Sequence, residues 1–571
     1  MSGLPYAFDP ERLIGTLSEI GPTVGIVNLR KDAASEGKWL HGHRFWGGRV
    51  GEFVVIECGE AGIFGRITQV RLPERERLAV DEASKRRPEV HPIATVQLLT
   101  TFYTDRSEVV GGIATYPNLG SRVFAAHHHL VKWLAESSRK PNELRDILVQ
   151  LGSLPDGDNV PVSITPEKLF GRHCAILGST GGGKSYTLAR LMEQTMRSES
   201  KVILFDATGE YYKLDGAVHV QLGGPTGNGT AVVSLPYSEL TESDLFVLFN
   251  PSAQSQAPKL RHAIKSLKLA KLVPGKCPEG FVPKANKAKA PFEALCNKYI
   301  AELESPKASF DIKHLARQLD EECVKPNIWA NGLPDYTQWG PYDEQARGYV
   351  VSLIGRIESM CAAKELECIF HPSGKSVFEE IASFLADPAQ RLLRISLKHV
   401  AFSFFTREIV ANAIARYLME QARGGKFTGA KPVVAVLDEA HHFLNKRIGE
   451  EGASQALDAF ELIAKEGRKH WLTLCIATQR PRDIPEGVLS QMGTLIVHRL
   501  TNDRDREVVE KASGDIDRSA AAFLPTLAPG EAAIIGVDFP IPLTVQVGLP
   551  TNPPDSSGPK YQEKWSMFAK E

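Results

Sequence analysis

Apolar and polar positions in the first 150 residues fall into short runs: VGIVNL (24–29), GEFVVIEC (51–58), IFGRITQVRL (63–72) and HPIATVQLLTTF (91–102), divided by Gly and Pro clusters. Runs of this length, rich in β-branched residues and bounded by turn formers, predict a small β-barrel or sandwich rather than a parallel sheet. RVFAAHHHLVKWLAES (122–137) changes to helical spacing and predicts a linking helix. Its His127, His128 and His129 point in different directions around such a helix, so they read as surface or packing residues and not as a metal site.

Near residue 160 the pattern changes. CAILGST (174–180), KVILFDAT (201–208), RLLRISL (391–397), PVVAVLDE (432–439), LTLCIATQ (472–479), TLIVHRL (494–500) and AAIIGVD (532–538) are predominantly apolar, as strands covered on both faces require. Helical segments alternate with them, which predicts an α/β core with a parallel-type sheet. Between the second and third runs, LRHAIKSLKLAKLV (260–273), FEALCNKYIAELE (292–304) and YVVSLIGRIESMCAA (349–363) have helical period and predict an insertion. The expected division is a barrel with its linking helix over 1–155, core segments over 156–240 and 386–550, a helical insertion over 241–385, and a tail over 551–571. The tail places Tyr561, Trp565 and Phe568 near helical spacing, which predicts packing on its own or a neighbouring subunit, as a brace would.

At 571 residues the chain exceeds one ordinary core, so two or three domains are expected. Lys and Arg number 67 against 68 Asp and Glu, so any nucleic-acid binding must rest on a local patch. The densest candidate is the segment 259–289, where Lys259, Arg261, Lys265, Lys268, Lys271, Lys276, Lys284, Lys287 and Lys289 face a single acid, Glu279. Such a run either neutralises phosphates or is a solvated helical surface. The eight cysteines are scattered without metal or redox spacing, which fits a reduced cytoplasmic setting. No apolar run reaches membrane-spanning length, and no secretory leader is recognisable.

GSTGGGKS (178–185) carries the strongest chemistry. It fits G-x-x-x-x-G-K-[ST], follows the apolar run CAIL and precedes a helical segment, the context a phosphate-binding loop needs. The stretch Gly178, Ser179, Thr180, Gly181, Gly182, Gly183, Lys184, Ser185 and Tyr186 is therefore the expected ATP cradle. Backbone N–H groups wrap the phosphates, Lys184 contacts the β- and γ-phosphates, and Ser185 ligates Mg²⁺.

VVAVLDEAHHFL (433–444) reads at first like a DEAH-box helicase signature, but it lies about 250 residues after Lys184 and no second motor domain follows. A buried strand ending in two acids is what a P-loop enzyme requires. Asp438 is expected near Mg²⁺, and Glu439 orients or deprotonates the attacking water. Gln479 ends the next apolar run and is placed to sense the γ-phosphate or the water, while Lys465 and Arg468 either stabilise transition-state charge or cap a helix dipole.

Taken together, GRHCAILGSTGGGKS, FDATGEY, VVAVLDEAHHFL, AKEGRKH and ATQRP resemble the HerA family of the HerA/FtsK class of hexameric ATPases, over most of the chain. The resemblance implies a small N-terminal barrel, a RecA-like core with a helical insertion, and a homo-hexameric ring threading double-stranded DNA through its pore. It implies an arginine finger at Arg172 toward a neighbouring subunit, and pore-loop contacts for which Lys446 and Arg447 are one candidate. Lys465 stands where relatives often carry arginine, and FDATGEY departs from the more usual D-P-H-G-E-Y while keeping Asp206 and Glu210. Family partners are a NurA-type nuclease in DNA end resection or, in bacterial anti-phage defence, an effector such as a nuclease or a sirtuin-like NAD hydrolase. The barrel is the implied docking platform. Two other functions fit the same motifs: a nucleotide-dependent scaffold that regulates an effector, and a conjugation or secretion ATPase, which needs a membrane anchor or a membrane-bound partner.

Overall fold

A computed structural model describes the chain except residues 1–6, 31–37, 41–42, 46, 74–90, 107, 137–146, 156–158, 226, 228, 308, 331–332, 445–456, 514–517, 557–560, 562–564 and 566–571. Lys446, Arg447 and Phe568 lie outside the described residues. Two compact units are present: Met1–Ser198 with Cys475–Arg482 and Leu489–Pro553, and Glu199–Leu474 with Asp483–Val488 and Pro554–Glu571.

The first unit begins with strands β1 (Leu13–Ile20) and β2 (Val24–Leu29), a small hairpin of β3 (Lys38–Leu40) and β4 (His43–Phe45), and then β5 (Phe53–Cys58), β6 (Ala61–Arg71), β7 (Ile93–Tyr103), β8 (Glu108–Gly111) and β9 (Arg122–Ala125). The order β2-β1-β9-β5-β6-β7, with β2 also paired to β7, closes a six-stranded antiparallel barrel, and β8 continues from β7. Closure removes the sheet edges. Ile14, Val27, Ile56, Ile63, Val96 and Val123 fill it with one apolar cluster.

One expectation fails here. The segment 122–137 starts as strand β9, paired on both sides to β1 and β5, and only His128–Glu136 is helical. Val123 and Phe124 are fully buried because this strand completes the ring, a long-range demand that local spacing does not reveal. The histidines behave as packing groups: His127 stacks on His129, and burial above all lowers its pKa to about 4.

The same unit holds β10 (Val149–Ser153), β11 (Pro161–Ile164), β12 (Cys174–Leu177), the end of β20 (Leu472–Thr478), β21 (Thr494–His498), β22 (Glu531–Gly536) and β23 (Leu543–Val547), in the order β11-β10-β23-β22-β21-β12-β20. β12 runs parallel to β20 and β21, but β22 is antiparallel to β21 and β23 to β22. The sheet is therefore mixed. The short link from β22 to β23 leaves no room for the crossover a parallel pair needs. β10 already belongs to this sheet, ahead of the boundary expected at 155.

In the second unit β13 (Val202–Asp206), β14 (Val218–Leu222), β15 (Ala231–Val233), β18 (Leu392–Ser396) and β19 (Val433–Leu437) lie parallel in the order β19-β13-β18-β14-β15. Between β15 and β18 come mainly helices, including Gln256–Leu272, Leu315–Glu321 and Glu344–Ala362, with a small hairpin of β16 (Ile328–Ala330) and β17 (Leu333–Asp335). The basic segment is largely committed to this packing. Lys284 pairs with buried Glu322 at 2.6 Å, and Arg261 and Lys265 pair with Glu242 and Glu304. Lys259, Lys268 and Lys289 donate to backbone carbonyls, and Lys271 donates to Ser309. Among the described residues no helix is long and apolar enough to cross a membrane.

Candidate nucleotide site

In the first unit the loop 178–183 leaves the carboxyl end of β12 and enters the Lys184–Thr195 helix. Ligands of open α/β sheets bind at strand carboxyl ends, and the first-turn N–H groups of a helix point outward to an anion. Gly183 caps that helix at φ 110°, a conformation that L side chains rarely adopt. A Cβ on Gly178 would come within 2.6 Å of the His498 Cβ, so this position also needs glycine. Lys184 is only 4% exposed at the helix start. Thr180 donates a short hydrogen bond to the Gln479 side-chain oxygen, so Gln479, immediately after β20, does meet the phosphate loop. Ser179 is held to the Arg499 carbonyl at 2.9 Å.

His498, at the end of β21, had no place in the sequence reading. Its Nδ1 donates to the Glu531 carbonyl at 2.8 Å, which leaves Nε2 to accept from the Thr187 hydroxyl, also at 2.8 Å. Burial above all, with Lys184 nearby, lowers its pKa to about 4 from 6.5. The folded pKa is depressed for a group that is neutral when basic, so between pH 6.5 and about 4 the unfolded chain takes up a proton that folded His498 refuses. Stability contributed by neutral His498 is thus present above pH 6.5 and falls as the pH drops through that window. From pH 7 to pH 5 this component is on the order of 2 kcal/mol. Urea midpoints at the two pH values are expected to move less for His498→Gln than for the wild type; equal movement would contradict the assignment.

In the second unit β19 leads directly into Asp438, 1% exposed, whose backbone N–H donates to the Phe205 carbonyl of β13. Glu439 follows at φ 46°, left-handed although it is not glycine, and its carboxylate lies 3.3 Å from His441 Nδ1. Such a conformation costs roughly 1–2 kcal/mol and persists where the surroundings enforce it, often at functional sites. His442 meets Phe402 edge to face, and buried Arg407 covers the Phe402 ring at 3.5 Å while donating to the carbonyls of Ala207, Lys398 and Val400.

The FDATGEY turn acquires a structural account. Asp206, fully buried at the end of β13, accepts from the backbone N–H groups of Gly209, Glu210 and Tyr211 and from Arg394 of β18 at 2.7 Å. Arg394 was also missed, although a charge inside the buried run RLLRISL demands a partner. The remaining predicted residues are peripheral. Arg172 pairs with Asp538 at 3.3 Å and is about half exposed. Lys465 pairs with Glu461 one helical turn away, and Arg468 is exposed. The tail begins anchored to its own chain, since Asp555 pairs with Lys213 and accepts from the Tyr212 hydroxyl.

A glycine phosphate loop before a helix, a buried strand ending in two acids and a strand-end glutamine define a P-loop ATP hydrolase. Comparisons with known proteins narrow the class. The family model described as "Helicase HerA, central domain" matches residues 149–324. The DNA double-strand break repair helicase HerA of Saccharolobus solfataricus is 26% identical over 415 residues, covering 71% of this chain and 69% of that protein. The protein of the same name from Pyrococcus furiosus is 24% identical over 428 residues, covering 70% and 69%. Among solved structures, VirB4 of Thermoanaerobacter pseudethanolicus is similar at 15% identity and a TM-score of 0.43, covering 70% of this chain and 96% of that one. The chain is thus similar to the HerA helicases, through their central domain over residues 149–324 and over about 70% of its length in these relatives.

Proposed function

We propose that the protein is a ring-forming motor, a homo-hexamer that moves along double-stranded DNA at the expense of ATP. The observation that carries its hydrolytic chemistry is Glu439, a buried carboxylate held in a left-handed turn directly after Asp438. Support for DNA comes from relatives named as DNA double-strand break repair helicases that align with about 70% of the chain.

In this reading the loop 178–186 binds the triphosphate, and Lys184 holds the β- and γ-phosphates through a charge kept out of water. Glu439 aligns the attacking water and accepts its proton, and Gln479, tied to Thr180, reports on the γ-phosphate. Mg²⁺ takes hard oxygen donors, a chemistry that the Ser185 hydroxyl offers in the first unit and the Asp438 carboxylate in the second, the latter buried where a cation would offset its desolvation. When bound, the ion would neutralise charge on the β- and γ-phosphates.

Arg172, Lys465 and Arg468 supply positive charge to a neighbouring subunit's nucleotide. The Arg172–Asp538 pair is half exposed, so giving it up costs little. If Arg172 acts across the interface, mixing Arg172→Ala with Lys184→Ala chains restores part of the turnover that each lacks alone, because one supplies an intact phosphate loop and the other an intact arginine. No recovery in the mixed rings contradicts a role in trans.

The motor works with an effector on another chain, a nuclease or an NAD hydrolase docked on the barrel, in anti-phage defence or in end resection. A scaffold with little translocation is the second reading. It is favoured by the basic segment, where seven of the nine cations are engaged within the chain. Displacement of a triplex-forming strand from linear duplex DNA separates the two. The motor displaces it with ATP and fails as Glu439→Gln; a scaffold leaves it in place even as a ring that hydrolyses ATP.

A further inference from the structure

The space beneath the phosphate loop is occupied by one polar side chain. His498 touches the loop at three glycines: a Cβ on Gly178 would lie 2.6 Å from its Cβ, one on Gly182 would lie 3.4 Å from the same atom, and one on Gly183 would lie 3.3 Å from its Cε1. Its two ring nitrogens are both used, one toward Thr187 in the first turns of the following helix and one toward the Glu531 carbonyl at the start of β22. The turn before β22 adds a direct link, because Gly530 N–H donates to the Gly182 carbonyl at 3.2 Å.

We propose that His498 is a positioning residue for ATP: it clamps the glycine loop to the Lys184–Thr195 helix and to the β22 turn, so the phosphate cradle is formed before nucleotide arrives. The physical need is entropic. A loop with four glycines among residues 178–183 has wide conformational freedom, and ordering it on binding would weaken affinity. The imidazole reduces that cost in two ways. It fills the volume against which the glycines pack, and its hydrogen bonds tie the loop's exit helix to a neighbouring strand. His498 touches no reacting atom in this role, so its removal acts on nucleotide affinity more than on the chemical step.

The inference rests on the reading of 178–186 as the ATP cradle, and the test separates the two. ATP affinity, KM and kcat are measured on the full chain for the wild type, His498→Asn, His498→Ala, Thr187→Val and the His498→Ala/Thr187→Val double variant. Asparagine retains an N–H near the Nδ1 position but loses the acceptor for Thr187, and valine at 187 keeps the volume without the hydroxyl. Each single variant that breaks the Thr187 bond is expected to weaken ATP binding about tenfold, expressed mainly in KM. His498→Ala is expected to be the weakest binder of the single variants, and the double variant no worse than His498→Ala, because both changes remove the same link. Thr187→Val keeps the test open if His498→Ala does not fold. Unchanged affinity in Thr187→Val and His498→Asn, with only a lowered melting temperature, would overturn the proposal and leave His498 a packing residue. A wild type that binds no ATP would instead overturn the reading of the cradle.

Discussion

Replacing Glu439 with Gln is expected to lower ATP turnover about 10³-fold while nucleotide affinity stays within a few-fold of the wild type. Glutamine keeps the length and shape of the side chain and the left-handed backbone at φ 46°, so the turn after β19 has no new reason to rearrange. What it loses is the carboxylate proposed to align the water and accept a proton. The neighbouring His441, two residues further on and 3.3 Å from the carboxylate, is placed to orient it. Single-turnover hydrolysis and equilibrium binding of ATP check the two halves separately. Turnover near the wild-type rate would remove Glu439 from the chemistry.

The second large effect concerns the fold. Arg394→Met is expected to destabilise the second unit by about 3–5 kcal/mol, because it strands the buried Asp206 carboxylate without its cation. Both side chains are almost wholly buried, and the pair joins β13 to β18 through a contact of 2.7 Å. Three backbone N–H groups from the 209–211 turn remain on Asp206, so the carboxylate keeps hydrogen bonds but loses the compensating charge. Changing both residues, Asp206→Leu with Arg394→Met, is expected to recover much of the loss in urea midpoint, since no uncompensated charge is then left inside. A double variant as unstable as the single would show that the turn depends on Asp206 itself.

Much of this architecture was legible from the order of residues. The phosphate loop declares itself because glycine, lysine and serine are required at fixed offsets between a strand and a helix, and the structure gives 178–185 that local context. The apolar runs of the core became strands because burial on both faces leaves little other choice of residue. The missed features share a long-range origin. Strand β9 is made by its pairing to β1 and β5, residues more than 60 positions away, and the helical look of 122–137 came from its second half alone. β14 and the edge strand β15 are short, and their mixed burial carries a weak signal. The antiparallel direction of β22 depends on which neighbour it meets and not on its own apolar pattern.

The site shows the same division. Lys184, Ser185, Asp438 and Glu439 are named by motif spacing, whereas His498 and Arg394 are defined by partners far along the chain, 311 and 188 positions from their bonded residues. A histidine ending TLIVHRL and an arginine within RLLRISL were visible as polar groups in buried strands, and each had to find a partner. The basic run 259–289 left two readings open, a phosphate-binding surface or a solvated helical one, and spacing could not choose between them. Folding engages most of those cations with carbonyls and carboxylates of the insertion itself.

The central claim is that ATP hydrolysis at this loop drives work on double-stranded DNA. Its most direct test is steady-state ATP hydrolysis by the full chain, with and without linear duplex DNA, alongside sizing and with Lys184→Ala as the blank. The expected result is a ring-sized species whose turnover rises several-fold with DNA and disappears in the blank. A ring-sized species that hydrolyses ATP at one rate whether or not DNA is present would contradict the motor.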